Sequence, residues 1–344
     1  MEPWWISLIK AFVIVNLVMV TFAYLTWLER KGLGRLQNRY GPNRAGPFGL
    51  LQPIADLVKL VRKEAFAPSS AIDIPYILAP IVSMFTALAA FSVIPWGSGW
   101  HIYHWNVTGE VVNVPISLLL IFALGSIGIY GFIVGGWASE SKFSLLGSMR
   151  TCAQLVSYEV SLALSVLGVV ILGRSLSLVD IVHRQGQTLP FVVPQFVGML
   201  VFFFAGIAET GRAPFDLPEA EQELVGGYHT EYSGLKFGMF FLGEYLHVIT
   251  VSFLTVILFF GGWDFPFLNQ DQAGFLSAIA KLVVIVVKVS LVILFMMWVR
   301  WTLPRFRYDQ LMDLAWKSLI PLAIVNLVVT MVIVQAVRDG GVGL

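Results

Sequence analysis

Cysteine is almost missing from this 344-residue sequence, which contains only Cys152. An iron–sulfur cluster is normally held by four thiolates, so the chain holds no such cluster by itself. A disulfide framework is excluded for the same reason. Histidine is also rare, and of five histidines only His247 lies well inside an apolar stretch, too few for a haem held between two membrane helices. Any electron-transfer cofactor that serves this protein therefore belongs to a partner.

Motifs of common enzyme classes are also missing. The chain has no P-loop, no glycine-rich dinucleotide fingerprint after a strand, no HExxH motif and no CxxC pair. The paired-aspartate motif of prenyltransferases is absent as well. We therefore expect no catalytic residue on this chain alone, no bound metal and no covalently bound cofactor.

Charge is sparse: 12% of the residues are charged and 57% are hydrophobic, whereas soluble domains carry roughly 25% charged residues. This composition predicts an all-α integral membrane protein that forms one polytopic domain over residues 1–344. A net charge of +1 gives no indication of a nucleic-acid partner, and we expect none. The first apolar run, Trp4–Leu28, lacks the small-residue cleavage site of a signal peptide, so it is expected to remain as the first helix.

Apolar windows of membrane-spanning length occur about eight times, and each must be helical because lipid offers no hydrogen bonds to bare backbone. They are Trp4–Leu28, Ile74–Trp96, Val114–Ala138, Ala153–Leu172, Phe191–Ala208, Phe237–Trp263, Phe275–Val299 and Ser318–Val337. The loops after the odd-numbered spans carry sixteen of the 22 lysines and arginines, and the other loops carry only Arg174 and Arg184. The odd loops are therefore predicted to be cytoplasmic, with both termini outside.

The first cytoplasmic loop, residues 29–73, is predicted to be structured. Glycines and prolines between Gly32 and Gly49 indicate turns at its start rather than helix. Apolar residues then recur at helical spacing, with charged residues on the other face. They are Leu50, Ile54, Leu57, Val58 and Val61, opposite Asp56, Lys59, Arg62 and Lys63. This pattern indicates an amphipathic helix lying in the membrane surface, while a helix packed beneath the bundle remains an equal alternative. The loop after the third span, Ser139–Thr151, is short.

Acidic residues concentrate in residues 209–245, which hold seven of the 21 acids between two apolar spans. Further charges lie inside the spans: Glu159 in the fourth, Glu244 and His247 on one face of the sixth, and Lys288 in the seventh. Placing a charge at the bilayer centre costs at least ~2.5–3.5 kcal/mol. Because this cost must be offset by a benefit, a proton or ion path is the favoured explanation for these charges. The structural alternative is a buried ion pair of Lys288 with Glu159 or Glu244. The two glutamates together with the acidic loop favour the proton path, because clustered carboxylates titrate as a group.

Three stretches carry a resemblance to a known family: Glu29–Gly49, which contains GPNR, Lys142–Glu159, and Glu209–Tyr232, which contains RAPFDLPEAE. RYDQL at Arg307–Leu311 agrees with them. Together they resemble the H-type membrane subunit of the proton-pumping NADH:quinone oxidoreductase, respiratory complex I. The likeness covers essentially the whole chain.

The resemblance implies a multi-pass subunit of a translocase in the respiratory chain, placed in the cell inner membrane or, alternatively, an organellar inner membrane. It implies that the subunit forms part of the quinone-binding chamber and couples quinone reduction to proton translocation. Quinone, as ubiquinone or menaquinone, would be the substrate, and FMN and iron–sulfur clusters would lie only on partner subunits. The implied partners are quinone-site subunits of the peripheral arm, small membrane subunits of the antiporter-like arm, and lipid. Helices two to six, residues 74–263, resemble half of an antiporter.

The family roles transfer to this chain by motif. The quinone-chamber loop would contain Arg35, Arg39, Arg44 and Asp56. The proton path would contain Glu159 and Glu244 in the membrane, and Glu219, Glu221, Glu223 and Glu231 in the acidic loop, residues 209–236. Arg212 and Asp216 would shape and dock that loop. The third span, Val114–Ala138, contains no acid, so a path that needs one there is not supported.

Three alternatives stay open at this point. The same fold could serve a membrane-bound hydrogenase or a relative fed by ferredoxin or coenzyme F420. A stand-alone cation/proton antiporter fits the intramembrane charges but not the long loops, which resemble docking surfaces. A purely structural anchor would use the charges as static ion pairs.

Overall fold

The computed structural model describes residues 3–102, 105–216, 225–265 and 275–339. Its helices are α1 (Trp4–Leu36), α2 (Gln52–Arg62), α3 (Asp73–Ala90), α4 (Ser117–Ala138), α5 (Lys142–Gly173), α6 (Leu178–Gln187), α7 (Phe196–Glu209), α8 (Gly234–Phe259), α9 (Phe275–Thr302), α10 (Tyr308–Asp313) and α11 (Ile320–Asp339). A π-helical turn, Leu314–Leu319, joins α10 and α11 into one continuous helix. Two short antiparallel strands, β1 (Trp100–Ile102) and β2 (Trp105–Val107), pair with Trp100 opposite Val107.

Within the described part of the chain, seven helices are long and apolar enough to cross a membrane. They are α1, α3, α4, α5, α8, α9 and the continuous helix α10–α11, and the shorter apolar helix α7 joins them. Only helices satisfy every backbone group within hydrocarbon without a partner strand. The all-α integral membrane fold expected from composition is therefore confirmed.

The centre of the bundle is α8. In its most apolar window 83% of the residues are buried, compared with 6% in α1 and 11% in α10–α11. Large side chains along α8, including Leu246, Ile257 and Phe259, have no exposed surface at all. Functional groups on α8 are therefore enclosed by protein, whereas α1 and α11 turn most of their surface outward.

The helix α7 has only 14 residues. At 1.5 Å per residue it is about 21 Å long, shorter than the roughly 30 Å hydrocarbon core of a bilayer. The apolar pattern predicted a span over Phe191–Ala208, but residues 191–195 form turns and the helix begins at Phe196. Pro194 explains the late start, because a proline disfavours helical backbone in the residue before it. A hydropathy window does not take this conformational effect of proline into account.

The prediction of turns in the first loop was wrong for residues 29–36, which are helical, and is confirmed for residues 37–51. α1 continues to Leu36 and includes both Gly32 and Gly34. Gly32 serves close packing instead: a Cβ atom on it would lie 2.1 Å from the indole ring of Trp301. The glycine thus lets the end of α9 approach the backbone of α1.

Most of the segment assigned to the loop Ser139–Thr151 is also helical, because α5 begins at Lys142. The segment contains no proline, and its one glycine marks a contact rather than a break. A Cβ atom on Gly147 would lie 2.6 Å from the Cα atom of Gly227, in the turn that precedes α8. α5 therefore extends the bundle beyond the apolar window that predicted it.

The amphipathic helix predicted in the first loop is α2. Its apolar face is uncovered in this chain, with Ile54, Leu57, Val58 and Val61 each 45–57% exposed. The opposite face is tied to α1 through Asp56, whose carboxylate accepts a hydrogen bond from Arg30 at 2.7 Å. This arrangement favours a surface helix over one that packs its apolar face beneath the bundle.

The loops that hold most of the basic residues meet at one end of the bundle, which we call the basic end. Backbone hydrogen bonds connect them, from Ile72 N to Ala138 O at 3.0 Å and from Phe306 N to Pro214 O at 3.1 Å. Ser233 also donates to the carbonyl of Glu64 at 2.9 Å. The strands β1 and β2 and the helix α6 lie at the other end.

Candidate functional site

The helix α7 ends inside the bundle rather than at its surface. The side-chain amide of Gln154 donates to Ala208 O at 2.8 Å and to Phe215 O at 2.9 Å. Gln154 lies twelve residues into α5, which is about 18 Å along that helix. Irregular backbone at membrane depth is tolerated where it is buried in protein or borders a water-filled cavity. The segment after Glu209 meets this condition, because Thr210 and Gly211 border a cavity.

This cavity, of about 40 Å³, lies beside the end of α7, and we call it the lower cavity. A water molecule needs roughly 10–15 Å³ of such space, so the lower cavity has room for about three waters. Polar side chains from α5, α7 and α8 and from the turn before α8 line it. They are Thr151, Gln154, Glu209, Tyr228, Glu244 and His247. The cavity is thus a polar junction between several titratable groups.

Two acids and two arginines form a buried cluster between this cavity and the basic end. We call it the charge cluster; it contains Glu29, Arg212, Glu244 and Arg300. Glu29 pairs with Arg300 and lies 3.7 Å from Arg212, and Arg212 lies 4.0 Å from Glu244. Side-chain exposure is only 11–13% for Glu29, Arg212 and Glu244. The cluster is electrically balanced, which is the condition for holding charges this deep.

Two tyrosines hold the charge cluster in place. The Tyr245 hydroxyl donates to Glu29 at 2.7 Å, and the Arg212 guanidinium stacks 3.8 Å from the centre of the Tyr245 ring. The Tyr228 hydroxyl donates to Glu244. Glu244 therefore faces Arg212 and also borders the lower cavity, so it can exchange protons with water there.

Glu159 and Glu209 form a second acidic group, of which Glu209 lines the lower cavity. Glu159 accepts a hydrogen bond from the Ser126 hydroxyl of α4, and it acts electrostatically on Glu209. Among the described residues neither acid has a base within ion-pair distance, in contrast to Glu29 and Glu244. The third predicted span, Val114–Ala138, which contains no acid, thus contributes the Ser126 hydroxyl to this acidic group.

Several acids of the 209–236 loop stand apart from this arrangement. Glu219, Glu221 and Glu223 lie outside the described residues. Glu231 is half-buried, and its backbone carbonyl accepts a hydrogen bond from Tyr76 at 2.6 Å. Asp216 pairs with Arg305 at 3.0 Å, and burial raises the pKa of Asp216 above its ordinary value, with Arg305 opposing the rise. The loop is therefore attached at Asp216 and again near Glu231.

The arginines predicted for the quinone-chamber loop are not brought to the cavity. Arg35, Arg39 and Arg44 are all exposed at the basic end, and Arg39 donates to Gln37 at 2.7 Å. Asp56 is held by Arg30 and by Gln52. These residues form an outward surface, separate from the buried carboxylates.

The ion pair considered for Lys288 with Glu159 or Glu244 is not formed. Lys288 Nζ donates instead to the carbonyls of Phe260, Gly262 and Asp264 at 2.8, 3.0 and 2.6 Å. These carbonyls follow the carboxyl end of α8, where unpaired acceptors and the helix dipole attract a cation. Lys288 thus caps α8 at the end opposite the basic end.

Sequence reasoning did not assign Glu29, Glu209, Arg300 or Tyr228 to the site. Each lies at or beyond the end of an apolar run, where charged and polar residues are ordinary. Only Glu209 had a usable signal in the sequence: it is the last residue of α7, a helix that Pro194 makes shorter than its apolar window. Glu29 lies on α1 and its partner Arg300 lies on α9. These segments are far apart in the sequence, so no spacing pattern connects the two residues.

Replacing Gln154 with leucine is expected to destabilise the end of α7. The change removes the side-chain donor of the Phe215 carbonyl and leaves the Ala208 carbonyl with only a 3.3 Å hydrogen bond from the Gly211 amide. A buried carbonyl without its donor costs about 1–3 kcal/mol. Hydrogen exchange of the detergent-solubilised protein should show faster exchange around residues 205–215. Val156→Ala, at an exposed position of the same helix, is the matched control. Unchanged exchange in the leucine variant would contradict this role of Gln154.

Comparison with known proteins gives a consistent result along the chain. Residues 9–331 match the family model described as NADH dehydrogenase. The chain is 50% identical over 321 residues to the second H-type subunit of NADH-quinone oxidoreductase from Syntrophobacter fumaroxidans, covering 93% of each protein. It is 45% identical to the H-type subunit of NADH-quinone oxidoreductase from Thermomicrobium roseum over 98% of this chain and 97% of the relative. The protein of the same name from Syntrophotalea carbinolica is 46% identical over 94% of each.

Proposed function

The chain belongs to the NADH dehydrogenase family, and on that premise we propose that it couples quinone reduction to proton translocation in an NADH-quinone oxidoreductase. It is a membrane subunit of that multi-subunit complex, so other subunits of the complex are its partners. The proposed role has two parts. The surface of the basic end forms part of the quinone chamber, and the buried carboxylates carry protons from there into the membrane.

The single observation that carries the proposal is the unbroken succession of carboxylates inside the bundle. Glu29 lies seven residues before the end of α1 and joins Glu244 through Arg212. Glu244 borders the lower cavity together with Glu209, and Glu209 interacts with Glu159. A purely structural bundle has no need of four acids at these depths, since each requires a partner to offset its burial.

The geometry suggests how these residues act. Quinone reduction at the basic end places negative charge there, and low local dielectric transmits that charge to nearby groups. Arg212 is shared by Glu29 and Glu244, so a change in charge near Glu29 alters how strongly Arg212 neutralises Glu244. Glu244 then takes up or gives up a proton through water in the lower cavity. Glu209 and Glu159 continue the transfer as a coupled pair.

The outward surface supports the quinone-chamber part of the proposal. The uncovered apolar face of α2 suits a long apolar tail, and the exposed Arg35, Arg39 and Arg44 suit a polar mouth. Quinone is the proposed substrate. FMN and iron–sulfur clusters are proposed to lie on partner subunits of the peripheral arm, which would dock here beside the small membrane subunits. Glu219, Glu221, Glu223 and Glu231 of the acidic loop are proposed to serve the proton path as well.

The distribution of basic residues supports an orientation. We place the basic end on the cytoplasmic side and both termini on the outer side of the bacterial inner membrane, because basic loops remain in the cytoplasm. The bacterial sources of the relatives agree with this membrane. Residues 74–263 are proposed to form the antiporter-like half.

Replacing Glu159 with glutamine tests the proton path. Glutamine keeps the acceptor for the Ser126 hydroxyl but cannot bind and release a proton. We expect the complex to assemble and proton translocation to fall by about 10²-fold, the usual size of a lost proton-transfer group. The measurement is NADH oxidation together with proton uptake in inverted membrane vesicles, and Glu219→Gln and Glu223→Gln are assayed alongside.

Glu140→Gln is the matched control for these variants. Glu140 is exposed at the basic end, and its side chain makes no hydrogen bond or ion pair with the described residues. A normal proton-to-electron ratio in all the path variants would refute the proton path. Reduced assembly with unchanged turnover per assembled complex would favour a static structural anchor.

Co-purification in mild detergent tests the nature of the complex. We expect soluble subunits that bind NADH and flavin to accompany the chain. A hydrogenase or a ferredoxin-oxidising module in their place would exclude NADH as the electron donor. Ion flux by the isolated chain would support a stand-alone antiporter, which the family membership does not favour.

A further inference from the structure

A second cavity of about 20 Å³, which we call the upper cavity, lies beyond the lower one. Its volume is enough for about one water. Thr86 of α3 and Thr250 of α8 give it polar lining. The two cavities share only three lining residues, Gly125, Glu209 and His247. Of these, His247 is absent from the succession of carboxylates described above.

The upper cavity is farther from the basic end, as α8 and α5, two of the long helices that border both cavities, show. α8 runs away from the basic end, and it contributes Glu244 to the lower cavity and Thr250 to the upper one. This step of six residues spans about 9 Å. α5 runs the same way and contributes Leu155 below and Leu162 above. His247 lies between these levels, about one helical turn beyond Glu244.

The surroundings of His247 leave space at its ring. A Cβ atom on Gly128 of α4 would lie 3.8 Å from His247 Nε2 and 3.0 Å from the Thr86 hydroxyl. Any larger residue at position 128 would therefore crowd the junction. No described residue makes a hydrogen bond to the His247 ring, although the ring borders both cavities. Water in the cavities is the remaining partner for its two nitrogens.

We propose that His247 is a proton-relay residue that joins the lower and upper cavities. The proposal rests on the proton path described above and extends it toward the end of the bundle opposite the basic end. A water in the lower cavity, protonated from Glu244 or Glu209, gives a proton to one ring nitrogen. The other ring nitrogen releases its proton to the water in the upper cavity. One N–H bond forms and one breaks, so the ring stays neutral overall and changes tautomer.

The groups facing the relay come from each neighbouring element. α7 contributes Glu209, α8 contributes Glu244, and Glu159 of α5 acts on Glu209. α3 contributes the Thr86 hydroxyl, and α4 contributes Gly125 and Gly128 at this level. Among the described residues, only Glu209 and His247 are titratable groups that border both cavities. Each of the two can accept a proton at one atom and release another from a second atom, and His247 is the one that lies outside the succession of carboxylates.

The test compares His247→Asn and His247→Gln in the assembled complex. Both side chains keep hydrogen-bonding groups and neither titrates. We expect NADH oxidation to persist in leaky membranes while proton translocation per electron in sealed vesicles falls about tenfold or more. Thermal stability of the complex should change little.

Four outcomes would overturn the relay or its basis. Wild-type translocation in either variant would exclude His247 as a relay. Loss of the assembled complex in both variants would assign it a structural role. Glu159→Gln, measured in the same preparation, separates the two proposals: if it abolishes translocation while His247→Asn does not, the carboxylate path stands and the relay fails. If Glu159→Gln pumps normally, the path itself fails.

Discussion

Replacing Arg212 with methionine is expected to remove most of the assembled complex from the membrane. The change leaves Glu29 and Glu244 without the cation they share, and Glu29 retains only Arg300. Removing one partner of a buried ion pair costs about 3–5 kcal/mol, a large part of the roughly 5–15 kcal/mol that typically stabilises a folded protein. Native gel electrophoresis of solubilised membranes measures the amount of assembled complex.

A second variant separates lost charge balance from lost packing. Arg212→Met combined with Glu244→Gln removes one acid with the base, so it should recover part of the assembly. Arg174→Met, at an exposed position at the opposite end, is the matched control and should assemble normally. If the double variant is no better than the single one, stacking of Arg212 on Tyr245 matters more than its charge.

Replacing Glu244 with glutamine is expected to give an assembled but uncoupled or inactive complex. Glutamine still accepts the hydrogen bond from Tyr228, and Arg212 keeps Glu29 as a counter-ion. The variant loses the exchangeable proton beside the lower cavity and one of the two negative charges that face Arg212. We expect quinone reduction coupled to proton uptake to fall by about 10²-fold, measured in sealed vesicles with NADH as donor.

Tyr228→Phe provides the comparison for this variant. It removes the hydroxyl that holds Glu244 but leaves the carboxylate, so we expect a smaller loss of activity than in Glu244→Gln. Equal losses in both variants would indicate that the position of the side chain, rather than its proton, limits the rate. Full activity in Glu244→Gln would remove Glu244 from the path.

Charges inside apolar runs were the part of the site that the sequence made visible. Glu159 and Glu244 stand out because each interrupts a long hydrophobic stretch. In the structure Glu244 lines the lower cavity, and Glu159 interacts with Glu209, which lines it too. Glu29 and Arg300 gave no such signal, because charged residues at the ends of spans are ordinary. Their pairing depends on how α1 packs against α9, which Gly32 permits and no local pattern encodes.

Backbone acceptors explain why the structural alternative, an ion pair of Lys288 with Glu159 or Glu244, is not formed. A lysine in an apolar helix suggested a carboxylate partner, yet Lys288 binds three carbonyls beyond the end of α8. A sequence shows which side chains can pair but not which helix ends leave carbonyls unsatisfied nearby. The late start of α7 has a similar origin, since one proline outweighed an otherwise apolar window. The apolar windows predicted eight spans; among the described residues seven helices are long enough to cross a membrane, and the eighth window forms the shorter helix α7.

The cap on α8 also limits how the protein can transmit force. Lys288 ties the carboxyl end of α8 to α9 through three hydrogen bonds, so α8 cannot slide along its axis unless all three break. Glu244 and His247 are therefore held on a helix whose axial position is fixed. If the protein changes shape during turnover, the movement must come from the segments that pack against α8 toward the basic end. There the 14-residue helix α7 ends and the chain continues as turns. Quinone reduction would then be coupled to proton transfer by changes in the contacts that neighbouring segments make with α8, while α8 itself stays in place.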